Sequence, residues 1–225
     1  MWKGVSKFLV ICITAVAGGC ASGTDGAASR DAAAERRQYL DSVRQSKAEK
    51  LDSMKAEKAL MENQAHSAGE DMEFHRGASG LEGYYTLKGL QGSTAAEITP
   101  RVNADGTYTV SVVVPTSLKP YAFLVDGETL IKNGSTGFVG AGDKMVLSLR
   151  EAEVDSLSAR LTANPEAKLT VKGYGGERVC RLSTVQIEGI HRAPKLGQAV
   201  RRIQQLEVLI PEMEREIEAL NHVKY

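Results

Sequence analysis

An apolar heptad near the end of the chain constrains the fold most, because such a stripe needs a partner helix to cover it. Isoleucine at the a positions with leucine or methionine at the d positions is typical of a parallel two-stranded coiled coil. We therefore predict an amphipathic, coiled-coil-like helix over residues 196–222. After Leu196 and Ala199, its interaction residues are Ile203, Leu206, Ile210, Met213, Ile217 and Leu220.

Two arrangements would cover this stripe. Two copies of the chain could pair in parallel, with Arg202 of one copy reaching Glu207 of the other. Alternatively, the stripe packs on a helix of the same chain, in an antiparallel or mixed arrangement. Pro211 lies at a solvent-facing b position and removes the backbone hydrogen bond to the carbonyl of Glu207, so we expect a kink there.

A second long helix is predicted over residues 30–68, which contain neither proline nor glycine after Arg30. Its apolar stripe is thin, and lysines occupy the positions that would complete it. The motif Leu40-Asp41-Ser42-Val43 returns as Leu51-Asp52-Ser53-Met54, a period of eleven that favours a nearly straight helix. A solvated stalk, an oligomer seam and a helix lying on lipid are the three interpretations that this composition allows.

Residues 79–190 have the alternating pattern of a β domain. Tyr108, Val110, Val112 and Val114 recur with period two, which indicates a strand with one buried face. Turn sequences at Asn103–Gly106, Asp126-Gly127 and Gly173–Gly176 predict three hairpins. We expect the strand 96–102 to lie at an edge or to carry a bulge, because it contains Pro100.

The remaining elements of this domain give the fold class. Strands are predicted over 81–88 and 144–149, the last hairpin uses 167–172 and 177–187, and a helix over 151–161 is stopped by Asn164-Pro165. The sequence thus predicts an α+β protein: a small antiparallel β barrel or sandwich with one crossing helix, flanked by the two long helices.

The N-terminal residues predict export. Lys3 and Lys7 precede an uncharged run from Phe8 to Ala17, and Gly18-Gly19-Cys20 follows. A basic start, a short apolar run and small residues make a secretory signal, and the run is too short to span a bilayer. The alternative cleavage site is Ala15-Val16-Ala17, which fits the ordinary signal-peptidase pattern.

Gly18-Gly19-Cys20 resembles the lipobox of bacterial lipoproteins. The resemblance implies that residues 1–19 are a lipoprotein signal peptide and that Cys20 becomes an acylated N-terminus, bearing for example palmitate, followed by a flexible tether over 20–29. Ala21, where some family members have aspartate, resembles the class sorted to the outer membrane. The expected location is the bacterial cell envelope, on an outer-membrane anchor that faces the periplasm.

The charge and the cysteine content limit the kinds of partner that the sequence predicts. Without Lys3 and Lys7, the 28 lysines and arginines fall to 26 against 28 acidic residues, so no basic surface for nucleic acid is expected. Cys12 leaves with the signal peptide, which leaves Cys180 without an intramolecular disulfide partner; we expect a buried thiol. The expected partners are the lipid bilayer, through the acyl anchor, and a protein or second copy, through the C-terminal helix.

No motif in the chain predicts catalysis. His66 with Glu70 and Asp71 with His75 would share helix faces suited to Zn²⁺ if the long helix continued, but a polar helix end is the expected interpretation, without cofactor or metal. The loop 134–144 lacks the Gly-Lys-Ser/Thr of a phosphate loop. We therefore expect not an enzyme but a non-catalytic scaffold, assembly or protein-interaction module. The alternative is a β-barrel carrier of a small apolar molecule or glycan, which would need an interior cavity.

Overall fold

The protein has a mixed α+β architecture. The computed structural model describes residues 25–76, 83–88, 98–132 and 138–223. The helices are α1 (Asp25–Gly69), α2 (Glu151–Ala163) and α3 (Thr184–Asn221). The strands are β1 (Met72–Arg76), β2 (Gly83–Leu87), β3 (Ile98–Asn103), β4 (Tyr108–Pro115), β5 (Pro120–Val125), β6 (Glu128–Lys132), β7 (Val139–Ala141), β8 (Lys144–Leu149), β9 (Leu169–Gly173) and β10 (Gly176–Cys180).

These strands form two antiparallel sheets. One has the order β1-β2-β3-β4-β8-β7 and the other the order β10-β9-β5-β6. The predicted α+β class is confirmed, but the closed barrel is wrong, since no ladder among the described strands joins the edges of the two sheets. One hydrophobic core lies between elements of both sheets, α2 and α3; it includes Val110, Phe123, Leu157 and Ile190, all fully buried.

Local sequence explains the hairpins. Alternate residues of β4 from Tyr108 to Val114 are buried, as period two predicted. Asp126 (φ 50°) and Gly127 (φ 83°) both have the positive φ that a tight β5–β6 turn needs. Of the two outcomes predicted for the strand with Pro100, the edge position is wrong, because β3 lies between β2 and β4, and the β3–β4 ladder has no bulge at Pro100. Pro100 is tolerated there because the β2 ladder reaches only Arg101, so its missing N–H leaves no gap on that side.

The C-terminal helix begins earlier than expected. Residues 184–190, predicted as the end of the β domain, belong to α3, and β10 ends at Cys180. The reason is a capping box: the hydroxyl of Ser183 accepts from the backbone N–H of Gln186, whose side chain accepts from the N–H of Ser183. The helix then continues through Pro194 and Pro211 without a break.

The region after α1 also differs from expectation. The helix ends at Gly69, and the residues expected as its polar end form β1, which pairs with β2. Asp71 and His75 therefore do not share a helix face, and Nε2 of His75 lies 2.9 Å from the hydroxyl oxygen of Thr86 instead. The described part of the chain contains no cluster of three potential metal ligands.

The two long helices form an antiparallel hairpin that carries the β domain at one end. Helix α1 begins at Asp25, so residues 25–29, expected as part of the flexible tether, are helical. Its C-terminal end leads into β1, whereas the end of α3 returns along α1 as far as Arg44. The predicted buried thiol is confirmed: Cys180, at the end of β10, is buried.

Candidate functional site: the helical hairpin and its neck

The predicted interaction stripe lies along α1 of the same chain. Leu206 is fully buried there, and the rest of the stripe is half-buried: Ile203, Ile210, Met213, Ile217 and Leu220. The facing positions of α1 follow their own heptad, with spacings of three and four residues: Arg44, Lys47, Leu51, Met54, Lys58, Met61, Ala65 and Ala68. The contact between the two helices, here called the seam, thus uses the thin apolar stripe of α1. Three seam positions of α1 carry cations: Arg44, Lys47 and Lys58.

Ion pairs fix the direction of the hairpin. The ammonium of Lys47 lies 2.7 Å from a carboxylate oxygen of Glu216, and that of Lys58 lies 3.4 Å from one of Glu207. Residue numbers on α1 fall as those on α3 rise, so the helices are antiparallel. The hydrogen bond to Lys47 holds the pKa of the Glu216 carboxyl below its ordinary value.

A two-point contact between Arg202 of α3 and Glu57 of α1 also joins the two helices. Nε of Arg202 donates to Oε1 of Glu57 at 2.7 Å and Nη2 donates to Oε2 at 2.8 Å. This hydrogen bonding lowers the pKa of Glu57 and raises that of Arg202. Arg202 thus pairs with a carboxylate of its own chain, and the expected contact with Glu207 of a second copy stays a prediction.

The β domain is joined to α3 at a neck formed by the β3–β4 hairpin. The guanidinium of Arg201 donates to the carbonyl of Gly106 at 3.0 Å and also pairs with Glu151 at the start of α2. One turn further along α3, the amide of Gln204 donates to the carbonyl of Ala104 at 2.7 Å. Two polar side chains of α3 thus hold the backbone of one hairpin.

Helix α2 contributes two more polar contacts. The hydroxyl of Tyr108 donates to Asp155 at 2.9 Å, and burial, followed by this hydrogen bond, raises the pKa of Tyr108 to about 12. The hydroxyl of Ser158 lies 2.8 Å from Nδ1 of His191 on α3. Burial, then the neighbouring Lys195, lowers the pKa of His191, so its neutral form is favoured.

The serine and histidine form a link between helices rather than a catalytic triad. In the described part of the chain, no carboxylate hydrogen-bonds the other nitrogen of His191. Ser158 also lies within α2 rather than at the strand-to-helix turn where a serine nucleophile is usually exposed. Sequence reasoning missed this contact, since nothing in either helix's pattern indicates which turns will meet.

A groove lies between α1 and α3 next to the neck, along residues 192–202 of α3. Its volume is about 730 Å³, and we call it the neck groove. Its lining residues are Met61, Gln64, Ser67, Ala68 and Glu70 from the α1 side and Arg192, Lys195, Gln198, Ala199 and Arg202 from α3. The sequence analysis did not identify this set, although the alanines at facing heptad positions are a visible signal for a space between helices.

The predicted lipidation site, Cys20, lies outside the described residues, as does the signal peptide. Within the described residues, no helix combines the length and the apolar character needed to cross a membrane. No protein-family model, curated protein or solved structure matches the chain.

Proposed function

We propose that this protein is a lipid-anchored lipoprotein of the bacterial cell envelope, attached to the outer membrane and facing the periplasm. In this proposal it acts as a non-catalytic scaffold or protein-interaction module. The observation that carries the proposal is the antiparallel α1–α3 hairpin, in which the β domain lies at the opposite end from the start of α1. The sequence supports the anchor, because Cys20 precedes α1 by only a few residues.

The hairpin has the dimensions of a spacer. At 1.5 Å per residue, the 45 residues of α1 span about 68 Å. Helix α3 covers α1 only as far as Arg44, so the preceding part of α1, about 28 Å, extends beyond the hairpin. An acyl chain on Cys20 would therefore hold the β domain well away from the lipid surface, within reach of other envelope components.

The alternative, a carrier of a small apolar molecule or glycan, has weaker support. We interpret the two sheets as an open sandwich with a filled interior, because inward-facing residues such as Val112, Leu147 and Leu169 are fully buried in one continuous core. The neck groove lies between the helices, and its lining is about half polar. A carrier for an apolar molecule needs an enclosed apolar cavity instead.

Anchorage is tested by metabolic palmitate labelling and membrane fractionation of wild type and Cys20→Ser. We expect the wild type to be labelled and membrane-bound, and the variant to be unlabelled and soluble. Cys12→Ser, in the apolar run of the signal peptide, is the matched control and should behave as wild type. An unlabelled wild type, or a variant that stays fully membrane-bound, would contradict the lipoprotein proposal.

The scaffold role is tested by crosslinking in membranes. A partner, or a second copy, would meet the outward face of α3, where Val208 is 60 % and Leu209 is 42 % exposed. A photo-crosslinking residue at 208 should therefore give a discrete adduct, whereas one at the buried position 206 should not.

Deleting residues 30–36 shortens α1 by about 10 Å while nearly preserving its helical phase. If spacing matters, this deletion weakens the adduct, and the absence of any adduct at 208 would contradict the proposal.

A further inference from the structure

The seam between α1 and α3 is only partly covered in its lower half, away from the β domain. Leu206 is fully buried, whereas the seam residues that follow it on α3 are half-buried. They are Ile210, Met213, Ile217 and Leu220. Helix α1 faces them with Arg44 and Lys47 at positions where a well-packed seam has apolar residues. A single neighbouring helix therefore leaves part of this apolar stripe in contact with solvent.

One side of the hairpin, which we call the open flank, carries a column of aligned residues from each helix. The columns are Val43, Lys50 and Glu57 on α1 and Arg202, Leu209 and Glu216 on α3. Successive members are seven residues apart, close to two helical turns, so each column runs along one face of its helix. The hydrogen bonds between Glu57 and Arg202 show that both columns lie on the same side of the hairpin.

Two hollows open on this flank. The neck groove lies at the end near the β domain, where its lining includes Gln64 and Lys195, the next members of the two columns. A second hollow, with a volume of about 410 Å³, lies further from the β domain. It is lined by Ser42, Val43, Ser46, Lys47, Lys50 and Met213. The seam is therefore incompletely filled from this side, on both sides of the Glu57–Arg202 contact.

Exposed apolar side chains border the two hollows. Leu209 is 42 % exposed and Leu60 of α1 is 54 % exposed. Leu60 belongs to another column with a spacing of seven, which contains no charged residue: Tyr39, Ser46, Ser53, Leu60 and Ser67. Ser46 and Ser67 of this column line the two hollows, so it borders the open flank. Small, uncharged side chains of this kind allow another helix to pack closely.

The opposite side of the hairpin is different, and the open flank has the size of an interface. Ion pairs cross the opposite side, with Lys55 2.8 Å from Glu214 and Lys58 3.4 Å from Glu207. The open flank, from residue 39 to residue 67 of α1, is about 42 Å long, and two packed helices are about 20 Å wide. This gives roughly 800 Å² for each copy, the area of a standard protein–protein interface.

Charge distinguishes the two symmetric ways in which two copies can meet across this flank. Over residues 207–218, α3 carries five glutamates and one arginine, whereas α1 over residues 44–58 carries five cations and three carboxylates. When the hairpins point the same way, α3 of each copy faces α1 of the other, and opposite charges meet. When one hairpin is inverted, α3 faces α3 and like charges meet. Lys50 is exposed on the flank and makes no ion pair in the described part of the chain, so it is available to the second copy.

We propose that the open flank binds a second copy of this chain, so that two hairpins form a four-helix bundle with both β domains at the same end. This arrangement preserves height along the hairpin. Leu60 of one copy therefore meets the neck groove of the other, and Leu209 meets the second hollow. The inference deepens the proposed scaffold role by naming its partner. It rests on that role only in one respect, that both lipid anchors reach the same membrane.

The experiment measures the protein mass of the full chain in detergent by sedimentation over a range of concentrations. Wild type should be a dimer. Leu60→Lys and Leu209→Lys each place a cation against Arg202 or Lys50 of the second copy, and each should weaken dimerisation roughly tenfold or more. Both residues are exposed in the single chain, so the far-ultraviolet circular dichroism should not change. Val179→Lys, on β10 and 47 % exposed, is the matched control and should dimerise as wild type.

Introduced cysteines test the direction of pairing. Copies with Lys50→Cys are mixed with copies with Leu209→Cys and oxidised, and a disulfide-linked dimer of the two should form because these positions face each other. Leu209→Cys alone should form little covalent dimer, since the two α3 helices are not adjacent. The wild type, in which Cys180 is buried, gives the background.

A dimer of Cys20→Ser separates this inference from the proposed anchorage. The open flank does not include Cys20, so the unlabelled variant should dimerise as wild type, whatever the palmitate labelling shows. The inference is overturned if wild type is a monomer at every concentration, or if both lysine variants dimerise as tightly as wild type. It is also overturned if Leu209→Cys links mainly to itself, or if Cys20→Ser no longer dimerises.

Discussion

Gly106 in the β3–β4 turn and Gly197 in α3 bring their backbones into direct contact. A Cβ atom on Gly197 would lie 2.5 Å from the carbonyl oxygen of Gly106 and 2.5 Å from Cδ1 of Tyr108. Gly106 also has a backbone φ of +80°, a conformation that residues other than glycine rarely adopt. Because the two glycines lack side chains, the turn lies close enough to α3 for Arg201 to bond the Gly106 carbonyl.

We expect Gly197→Ala to destabilise the protein by about 1–3 kcal/mol, because the added methyl group forces the turn away from α3. Alanine's higher helix propensity, about 1 kcal/mol, offsets only part of this cost. The measurement is urea unfolding. Gly69→Ala is the control, since its Cβ would lie an ordinary 3.8 Å from Leu196. Equal stability of Gly197→Ala and wild type would show that the contact is looser than the structure describes.

Shortening a side chain of α3 should lower the free energy of unfolding only where that side chain is buried against α1. Leu206→Ala removes a side chain that is fully buried between the helices, and we expect a loss of about 2–5 kcal/mol in the free energy of unfolding. Val208→Ala, two residues away and exposed, should change it by less than about 0.5 kcal/mol. The comparison uses thermal or urea unfolding of both variants, and similar losses would contradict the described orientation of α3.

Periodicity alone predicted the stripe of α3 but not its partner. A heptad reports which residues face a neighbouring helix, and both a second copy and α1 satisfy that requirement. The heptad of α1 was obscured because Arg44, Lys47 and Lys58 occupy seam positions. Long cationic side chains can lie along a seam when their charged ends reach acceptors on the partner helix, and those acceptors become identifiable only once the register is known.

Two misplaced boundaries have different causes, one local and one tertiary. Val185 and Ile187 resemble a continuing strand, yet the Ser183–Gln186 capping box, visible in the sequence, starts a helix there. Strand β1 carried no comparable signal, because its pairing with β2 is a tertiary contact that overrides a weak local preference. The neck and its groove likewise depend on which turns of α1 and α3 meet, which no single-helix pattern specifies.

A charge swap tests the same-chain pairing of Glu57 with Arg202. Glu57→Lys places two cations together and should lower the melting temperature, more so at low ionic strength. The double variant Glu57→Lys with Arg202→Glu should recover part of this loss. Glu212→Lys is the control, because Glu212 is exposed and has no ion pair in the described part of the chain. A double variant no better than Glu57→Lys would contradict the pairing.

Replacing Pro211 should stabilise the long helix. The proline lies inside α3 at an exposed position, where it lacks the N–H that would bond the carbonyl of Glu207. Pro211→Ala restores that donor and removes the ring's steric conflict, so we expect a gain of up to about 3 kcal/mol. The readouts are helix content by circular dichroism and the unfolding midpoint. A destabilised variant would show that the rest of α3 requires the proline's local geometry.

The burial of His191 should make stability depend on pH. Burial and the charge of Lys195 depress the pKa of His191 below its ordinary value of about 6.5, so the unfolded chain binds a proton more readily than the folded one. The stabilisation is therefore fully present above about pH 6.5 and is lost as the pH falls towards the folded-state pKa. We expect the melting temperature of the wild type to decrease across this window and His191→Gln to decrease less. His222→Gln, at the exposed end of α3, should retain the wild-type slope. Identical slopes for wild type and His191→Gln would mean that His191 is not desolvated between α2 and α3.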